Sequence, residues 1–416
     1  MPVSTVRRFT WAGVILLVAC CILIAAFAID LAAAAIAYGP EYVWRAIVWH
    51  HQSPHDDARF SARNVSASSH PVYFPTDPTG GALVRATFAR LAPAELLPGE
   101  TFEQFLARTQ TTSLLVLRGG RLLYEGYFNG HQRDTVQGSF SMAKSFISLL
   151  IGIAIAEHRL PSIDAPAEDL LPDVKGLHNS GISLRDLSDM TASFVTHKGH
   201  LWWPFNVWDD YKLMDFAPDL RTVADAVQPE YLPSTHFEYD GRNAMLLGMM
   251  LERRTHEHVA RLLEQRLWHP MGAEFPASWS LDSRASGFEK METGVNARPI
   301  DFLKIGQLVL RGGVAESGER LVPESWIEQI IMPSRHVAGW GFEKDRFYTL
   351  LWWGFTRTGK SPDVFAEGNF GQVMLVSRAN DVVLLRTGNS EGGVPSWPQL
   401  LRGLANGLGP ATHDMR

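Results

Sequence analysis

At 416 residues the chain has room for one large domain or two of medium size. Apolar residues make up 46% and charged residues 20%, a mixture that fills a core and excludes wholesale disorder, a collagen-like repeat or a polytopic membrane protein. The 38 Lys and Arg against 44 Asp and Glu leave a net charge of −6 with no long basic run, so nucleic acid has no electrostatic footprint here.

Arg7 and Arg8 precede residues 10–29, TWAGVILLVACCILIAAFAI, which carry no charge. At about 1.5 Å per residue, this run matches a hydrocarbon core of roughly 30 Å. A cleaved signal has an apolar region of about 7–15 residues, so the length predicts a retained membrane anchor over 1–37. Two rivals stay open: Leu17-Val18-Ala19-Cys20 resembles a lipoprotein cleavage box, and Ala35-Ile36-Ala37 a signal-peptidase site. The two arginines favour a cytoplasmic N-terminus, which predicts a single-pass protein of the inner membrane with everything after Asp30 on the periplasmic side. Cys20 and Cys21 are the only cysteines and lie in this stretch, so the rest of the chain has no Cys nucleophile, Cys₄ zinc site or disulfide framework.

Residues 38–85 read as a juxtamembrane connector, opening with the aromatic cluster of Tyr42, Trp44, Trp49, His50 and His51. His50, His51, His55, Asp56 and Asp57 lack any metal-ligand spacing and read as a solvated segment. A single catalytic domain is expected over 86–416. It opens with short helical stretches between 86 and 108, interrupted at Pro98-Gly99. Two β-type runs, 113–118 and 121–128, flank Gly119-Gly120 and read as a tight hairpin. Residues 141–157, SMAKSFISLLIGIAIAE, are apolar almost all round and predict a buried helix. From 161 to 336 short helical stretches alternate with Pro- and Gly-rich loops. Strands follow over 339–355, 364–377 and 382–387, and an amphipathic helix closes the chain over 397–408. Strands at both ends of a helical middle predict an α/β fold, with a sheet layer from 86–160 and 337–416 and a helical insert between them.

Ser141-Met142-Ala143-Lys144 is the only Ser-x-x-Lys in the chain. A serine hydroxyl is a poor nucleophile without a base beside it. Positions i and i+3 share one face of a helix, so Lys144 reaches Ser141. An apolar setting favours the neutral form of an amine, the form that accepts a proton. The helix N-terminus adds N–H groups aimed at developing negative charge.

These residues, within GSFSMAKSF, follow YEGYFNG and lead to SLRDLSDMTASF; VNARPIDFLKIGQLVLRGG, LVPESWI and LLWWGF come later in the same order. From about 91 to 408 the sequence resembles the serine hydrolases related to class C β-lactamases, closest to the branch of 6-aminohexanoate-dimer hydrolases and family VIII carboxylesterases. The resemblance implies a β-lactamase/penicillin-binding-protein-like fold, an antiparallel sheet flanked by helices. It implies Ser141 as nucleophile, with Lys144 and Tyr239 moving the proton. Tyr239 stands nine residues before Gly248, as the family pattern requires, but Gly241 occupies a position where an amide or hydroxyl is usual, and Asn243 is the nearest substitute. In penicillin-binding relatives a Lys-Thr-Gly element follows. Here the matching stretch is Ala366-Glu367-Gly368-Asn369-Phe370-Gly371-Gln372, which resembles the Ala-x-Gly-x-x-Gly-Gln version of the nylon-oligomer branch. Gly368 lets the strand approach substrate closely. The resemblance assigns the N–H groups of Ser141 and Asn369 to an oxyanion hole and makes Ala366 a poor partner for a β-lactam carboxylate. Trp208-Asp209-Asp210-Tyr211 resembles a lid whose tyrosine contacts the scissile group.

Other motifs carry less. Gly388-Asn389-Ser390-Glu391-Gly392 matches a nucleophile elbow, but the helix that should follow at once is delayed by Gly393, Val394 and Pro395, and only His413 and Asp414 come after it, in the wrong order. Ser188-Asp189-Met190 lacks the asparagine of a Ser-Asp-Asn motif, and Tyr127-Phe128-Asn129 precedes the serine. The expected protein is a membrane-anchored hydrolase of small amides or esters that works through an acyl-enzyme and needs no metal or cofactor. A D-alanyl carboxypeptidase or β-lactamase, and a non-catalytic envelope sensor or scaffold, are the alternatives.

Overall fold

The computed structural model describes residues 4–92, 94–199, 205–333 and 345–410. The first part of the expected strand, 339–344, and His413 and Asp414 lie outside them. The chain divides into two compact units.

The larger unit spans residues 53–195 and 219 onward. Its strands are β1 (Ala62–Val65), β2 (Thr111–Arg118), β3 (Arg121–Tyr127), β4 (Gln137–Gly138), β5 (Ala277–Ser280), β6 (Val295–Ala297), β7 (Arg346–Thr349), β8 (Trp352–Phe355), β9 (Asp363–Gly368), β10 (Gln372–Ser377) and β11 (Val382–Gly388). Seven form one antiparallel sheet in the order β3-β2-β11-β10-β9-β8-β7, so the N-terminal hairpin pairs with the last strand of the chain. A second, four-stranded sheet runs β1-β5-β6-β4. It leaves no period in the sequence, because its strands are two to four residues long and lie among loops and helices. Its first strand falls in the stretch read as a connector.

β2, β10 and β11 are buried on both faces, which is why they read as near-continuous runs of Leu, Val and Ser/Thr. One face packs Leu114, Val116, Val373, Leu375, Val382 and Leu384 against the helices Gly80–Leu91, Phe102–Arg108 and Trp397–Leu408. The last of these starts at Ser396, whose Oγ accepts from the Gln399 N–H. The opposite face carries Met374 and Val383, and a Cβ on Gly306 would stand 2.5 Å from Val383, so the helix Pro299–Leu310 lies directly on the sheet. The helix Ala143–Ala156 is buried over Ala143–Ala154, as its all-round apolar sequence requires.

The smaller unit combines residues up to Gln52 with Thr196–Pro218. Its helices are Ser4–Tyr38, Pro40–Val48 and Asp210–Phe216. Within the first, Trp11–Tyr38 is long and apolar enough to cross a membrane, a test that an N-terminal signal sequence also passes. The Trp208 indole N–H donates to the Asp30 carboxylate at 2.7 Å, and the Tyr42 hydroxyl donates to the Val207 carbonyl at 2.7 Å. Arg45 donates to the Phe216 carbonyl at 3.3 Å, and Tyr38 packs edge-on against Trp208.

Candidate active site

The helix Ala143–Ala156 is entered through a tight 3₁₀ turn, Phe140–Met142, which puts Ser141 at its N-terminal end, half-buried, and Lys144 in its first turn. Lys144 is 3% exposed, and its Nζ lies 2.9 Å from Ser141 Oγ. The same Nζ donates to the Glu292 carbonyl at 2.8 Å. Two anchors on different chain segments leave the amine one place to sit.

Tyr239 comes from a distant segment. The residue after it, Asp240, caps the helix Gly241–Thr255 by accepting from the Arg242 N–H at 2.8 Å, and pairs with the Arg242 guanidinium at 2.6 Å in a buried setting. On the other side, the Glu238 N–H donates to the Met190 carbonyl at 2.9 Å. The segment between these two fixings delivers the phenol ring to Lys144, whose Nζ lies 5.0 Å from its centroid. Trp353 stacks on Tyr239 with centroids 5.5 Å apart, and Tyr348 meets it edge-on at 5.9 Å. Burial, with Tyr239 and Asp189 adding to it, holds the Tyr348 hydroxyl protonated well beyond the ordinary tyrosine range.

The end of β9 abuts the serine turn. A Cβ on Gly368 would stand 2.4 Å from the Ser139 carbonyl oxygen and 3.0 Å from the Ser141 nitrogen, so only glycine fits. Asn369, next along, is exposed. Ala366 is fully buried opposite Met374 and shares the Gly368 face of the strand. Phe140 and Phe370 both adopt left-handed backbone, φ +46° and +66°, unusual for a bulky side chain, and their rings pack at 4.9 Å. Strain of this kind persists where surroundings over-determine it, often at functional sites.

Ser141, Lys144 and Tyr239 are thus brought together, with Gly368 and Asn369 beside the serine. Gly241 is the first residue of its helix, and Asn243 is fully buried, its amide donating to the Asp240 carbonyl at 3.2 Å, within its own helix start. Tyr211 belongs to the smaller unit, 46% exposed on the helix Asp210–Phe216. The Glu292 carbonyl had no signal in the sequence, since every residue carries one. Trp353 and Tyr348 had a faint one, the aromatic run around LLWWGF. Glu252, His258 and Glu289 bring possible ligand atoms within 4.8 Å of one another, but Arg221 and Arg63 already pair with the two carboxylates, so the group is an ion-pair network.

The elbow-like stretch has a structural explanation. β11 ends at Gly388, where a Cβ would stand 2.1 Å from Arg386 Nη1, and Gly392 has φ +61° with the Thr109 carbonyl 2.2 Å from where its Cβ would be. Ser390 Oγ accepts from the Gly392 N–H, closing a loop rather than presenting a nucleophile.

A family model described as Beta-lactamase matches residues 99–407. A 6-aminohexanoate-dimer hydrolase of Paenarthrobacter ureafaciens is 26% identical over 311 residues, 71% of this chain and 75% of that protein. Among solved structures, a Bacillus anthracis chain provisionally classed as a 6-aminohexanoate-dimer hydrolase superposes with a TM-score of 0.67 at 18% identity, covering 87% of this chain and 94% of its own. A penicillin-binding protein homologue of Caulobacter crescentus gives 0.60 at 12% identity, covering 80% of this chain and 97% of its own.

Proposed function

Because the chain belongs to the β-lactamase family of serine hydrolases, we propose that it cleaves a small amide or ester through an acyl-enzyme on Ser141. The observation that carries this reading is the 2.9 Å contact between Ser141 Oγ and Lys144 Nζ, with the Tyr239 ring against the same amine. Lys144, its N–H held by the Glu292 carbonyl, takes the serine proton as Oγ attacks the substrate carbonyl. The N–H groups of Ser141 and Asn369 receive the oxyanion, Tyr239 passes a proton to the departing amine or alcohol, and water hydrolyses the acyl-enzyme. Gly241, Asn243, Ala366 and Gly368 border the substrate in this scheme, and the resemblance gives Tyr211 a substrate contact as well. The N-terminal helix anchors the protein in the inner membrane with the catalytic unit on the periplasmic side.

The test is labelling with a fluorophosphonate probe alongside turnover of a short-chain p-nitrophenyl ester. Ser141→Ala should abolish labelling and lower turnover by several orders of magnitude, on the scale of other serine nucleophiles. Ser390→Ala should leave both unchanged; the reverse outcome would overturn the assignment of the nucleophile.

A further inference from the structure

Arg386 is an unusual occupant of its position. It sits on β11 opposite Val373 and is fully buried, where an apolar residue would fill the same space without desolvating a charge. Burial draws its guanidinium down to about 9, with Glu391 opposing, so the group stays charged at neutral pH. The donors go to backbone: Nη1 to the carbonyls of Phe370 at 2.7 Å and Gly371 at 2.8 Å, Nη2 to those of Thr109 at 2.9 Å and Ser390 at 3.0 Å, and Nε to Thr111 Oγ1 at 3.1 Å. Its Cζ lies 4.2 Å from the centroid of the Trp397 ring. Two glycines clear the space: a Cβ on Gly371 would stand 2.2 Å from Nη1, and one on Gly388 2.1 Å.

Two of the carbonyls it holds, those of Phe370 and Gly371, belong to the turn that follows β9. Gln372 holds the remaining one, donating to the Asn369 carbonyl at 3.1 Å and to that of Gly388 at 2.6 Å, while its own oxygen accepts from the Gly388 N–H at 3.0 Å. The peptide before Asn369 starts from Gly368, paired with Gln372 in the ladder. The three carbonyls after it, of Asn369, Phe370 and Gly371, are each fixed by a buried side chain. Phe370 keeps its left-handed backbone within this cage.

We propose that Arg386 is a positioning residue for the hydrolytic reaction: by gripping the Phe370 and Gly371 carbonyls it holds the Asn369 N–H in the orientation that receives the oxyanion. This rests on the reading of Asn369 as an oxyanion donor and of Ser141 as nucleophile. Arg386 touches no substrate; it acts through the turn.

The experiment compares Arg386→Lys, Arg386→Gln and Gly388→Ala with the full-length wild type for kcat, KM, melting temperature and affinity for a boronic acid that forms a tetrahedral serine adduct. Losing one oxyanion donor outright costs about 10²–10³ in kcat, so a donor left in place but loosely held should cost about 10–10². The expected result is that fall in kcat with KM within about threefold, and a parallel loss of boronic-acid affinity. Arg386→Lys, which keeps the charge, should fall least. Gly388→Ala reaches the same turn by displacing the guanidinium and carries the test if the Arg386 variants do not fold. Leu404→Ala, in the core on the same face of the sheet but with a side chain that bonds nothing in the turn, controls for stability, with a lowered melting temperature and an unchanged kcat. The proposal is overturned if folded variants keep wild-type kcat, or if Leu404→Ala loses kcat in the same proportion to its loss of stability. Failure of the underlying reading looks different: Ser141→Ala would then retain turnover.

Discussion

Ser141 and Lys144 form a pair because a helix sets i and i+3 on one face, and their environment does the rest: a carbonyl for the amine, an aromatic wall behind the phenol. In the proposed scheme, Ala366 is the residue at which this site parts from penicillin-recognising relatives. It is fully buried on the Gly368 face of β9, and it offers a methyl where the resemblance implies a lysine in those relatives. A carboxylate-bearing β-lactam therefore meets no charged partner at that position. Nitrocefin should be cleaved far more slowly than a short-chain p-nitrophenyl ester, and rapid turnover saturating at micromolar nitrocefin would refute this account of Ala366.

At the scale of elements, a turn and a helix show how the framework holds these residues. Ser183 caps the short helix Leu184–Ser188 in a reciprocal box with Asp186, which also accepts from Ser234 at 2.5 Å and Thr191 at 3.0 Å. The turn that follows ends at Met190, whose carbonyl holds the chain one residue before Tyr239. Burial works to raise the Asp186 carboxyl, yet the hydrogen bonds from Ser183, Ser234 and Thr191 outweigh it and hold the group below the ordinary aspartate range. A depressed folded value means stability that is present above the unfolded value, about 3.9, and is lost as pH falls through the folded one. The stability gap between wild type and Asp186→Asn, measured by thermal melting, should thus be largest near neutral pH and shrink below about pH 4. In the helix Ala143–Ala156, Gly152 lies against Trp326, where a Cβ would stand 2.5–2.7 Å from the indole. Helix propensity alone would make Gly152→Ala stabilising by about 1 kcal/mol. Overpacking in a filled core costs about 1–3 kcal/mol. The variant should melt lower than wild type, and a higher melting temperature would show that Trp326 yields.

At the scale of the whole molecule, the N-terminal helix and the 196–218 segment belong to one compact unit, joined through Asp30–Trp208, Tyr42–Val207 and Arg45–Phe216. The nearest positive charges after the apolar run are Arg45 and then Arg59, and the proposed topology, with Arg7 and Arg8 inside, rests on that bias. Alkaline phosphatase fused after Arg416 should be active, and the protein should resist carbonate extraction from the membrane. A soluble native protein starting near Tyr38 would identify the helix as a cleaved signal instead, and a lipid on Cys20 a lipoprotein. A variant lacking 1–37 should be soluble and keep its ester turnover, since Ser141, Lys144 and Tyr239 all lie in the larger unit. It also loses the carboxylate that Trp208 bonds, so limited proteolysis should cut within 196–218 faster than in the full chain. Loss of turnover on truncation would tie the anchor to catalysis.

The sequence by itself determined whatever depends on neighbours along the chain. The hairpin around Gly119-Gly120, the buried helix after Ser141 and the closing helix Trp397–Leu408 follow from local period and punctuation, and the Ser-Lys pair from helical spacing. Ordered motif blocks carried the resemblance, and with it Tyr239 and Gly368. Only the tertiary structure decided what requires distant segments to meet. The small sheet β1-β5-β6-β4 is made of strands too short to leave a period, and forms because the rest of the unit aligns them. The Glu292 carbonyl meets Lys144 across 148 residues, and a backbone group leaves no trace in composition. Arg386 reads as a stray cation ending an apolar strand until the carbonyls of Thr109, Phe370, Gly371 and Ser390 converge on it. A guanidinium can be buried there because packing assembles its partners from three places in the chain, and no local pattern encodes that convergence.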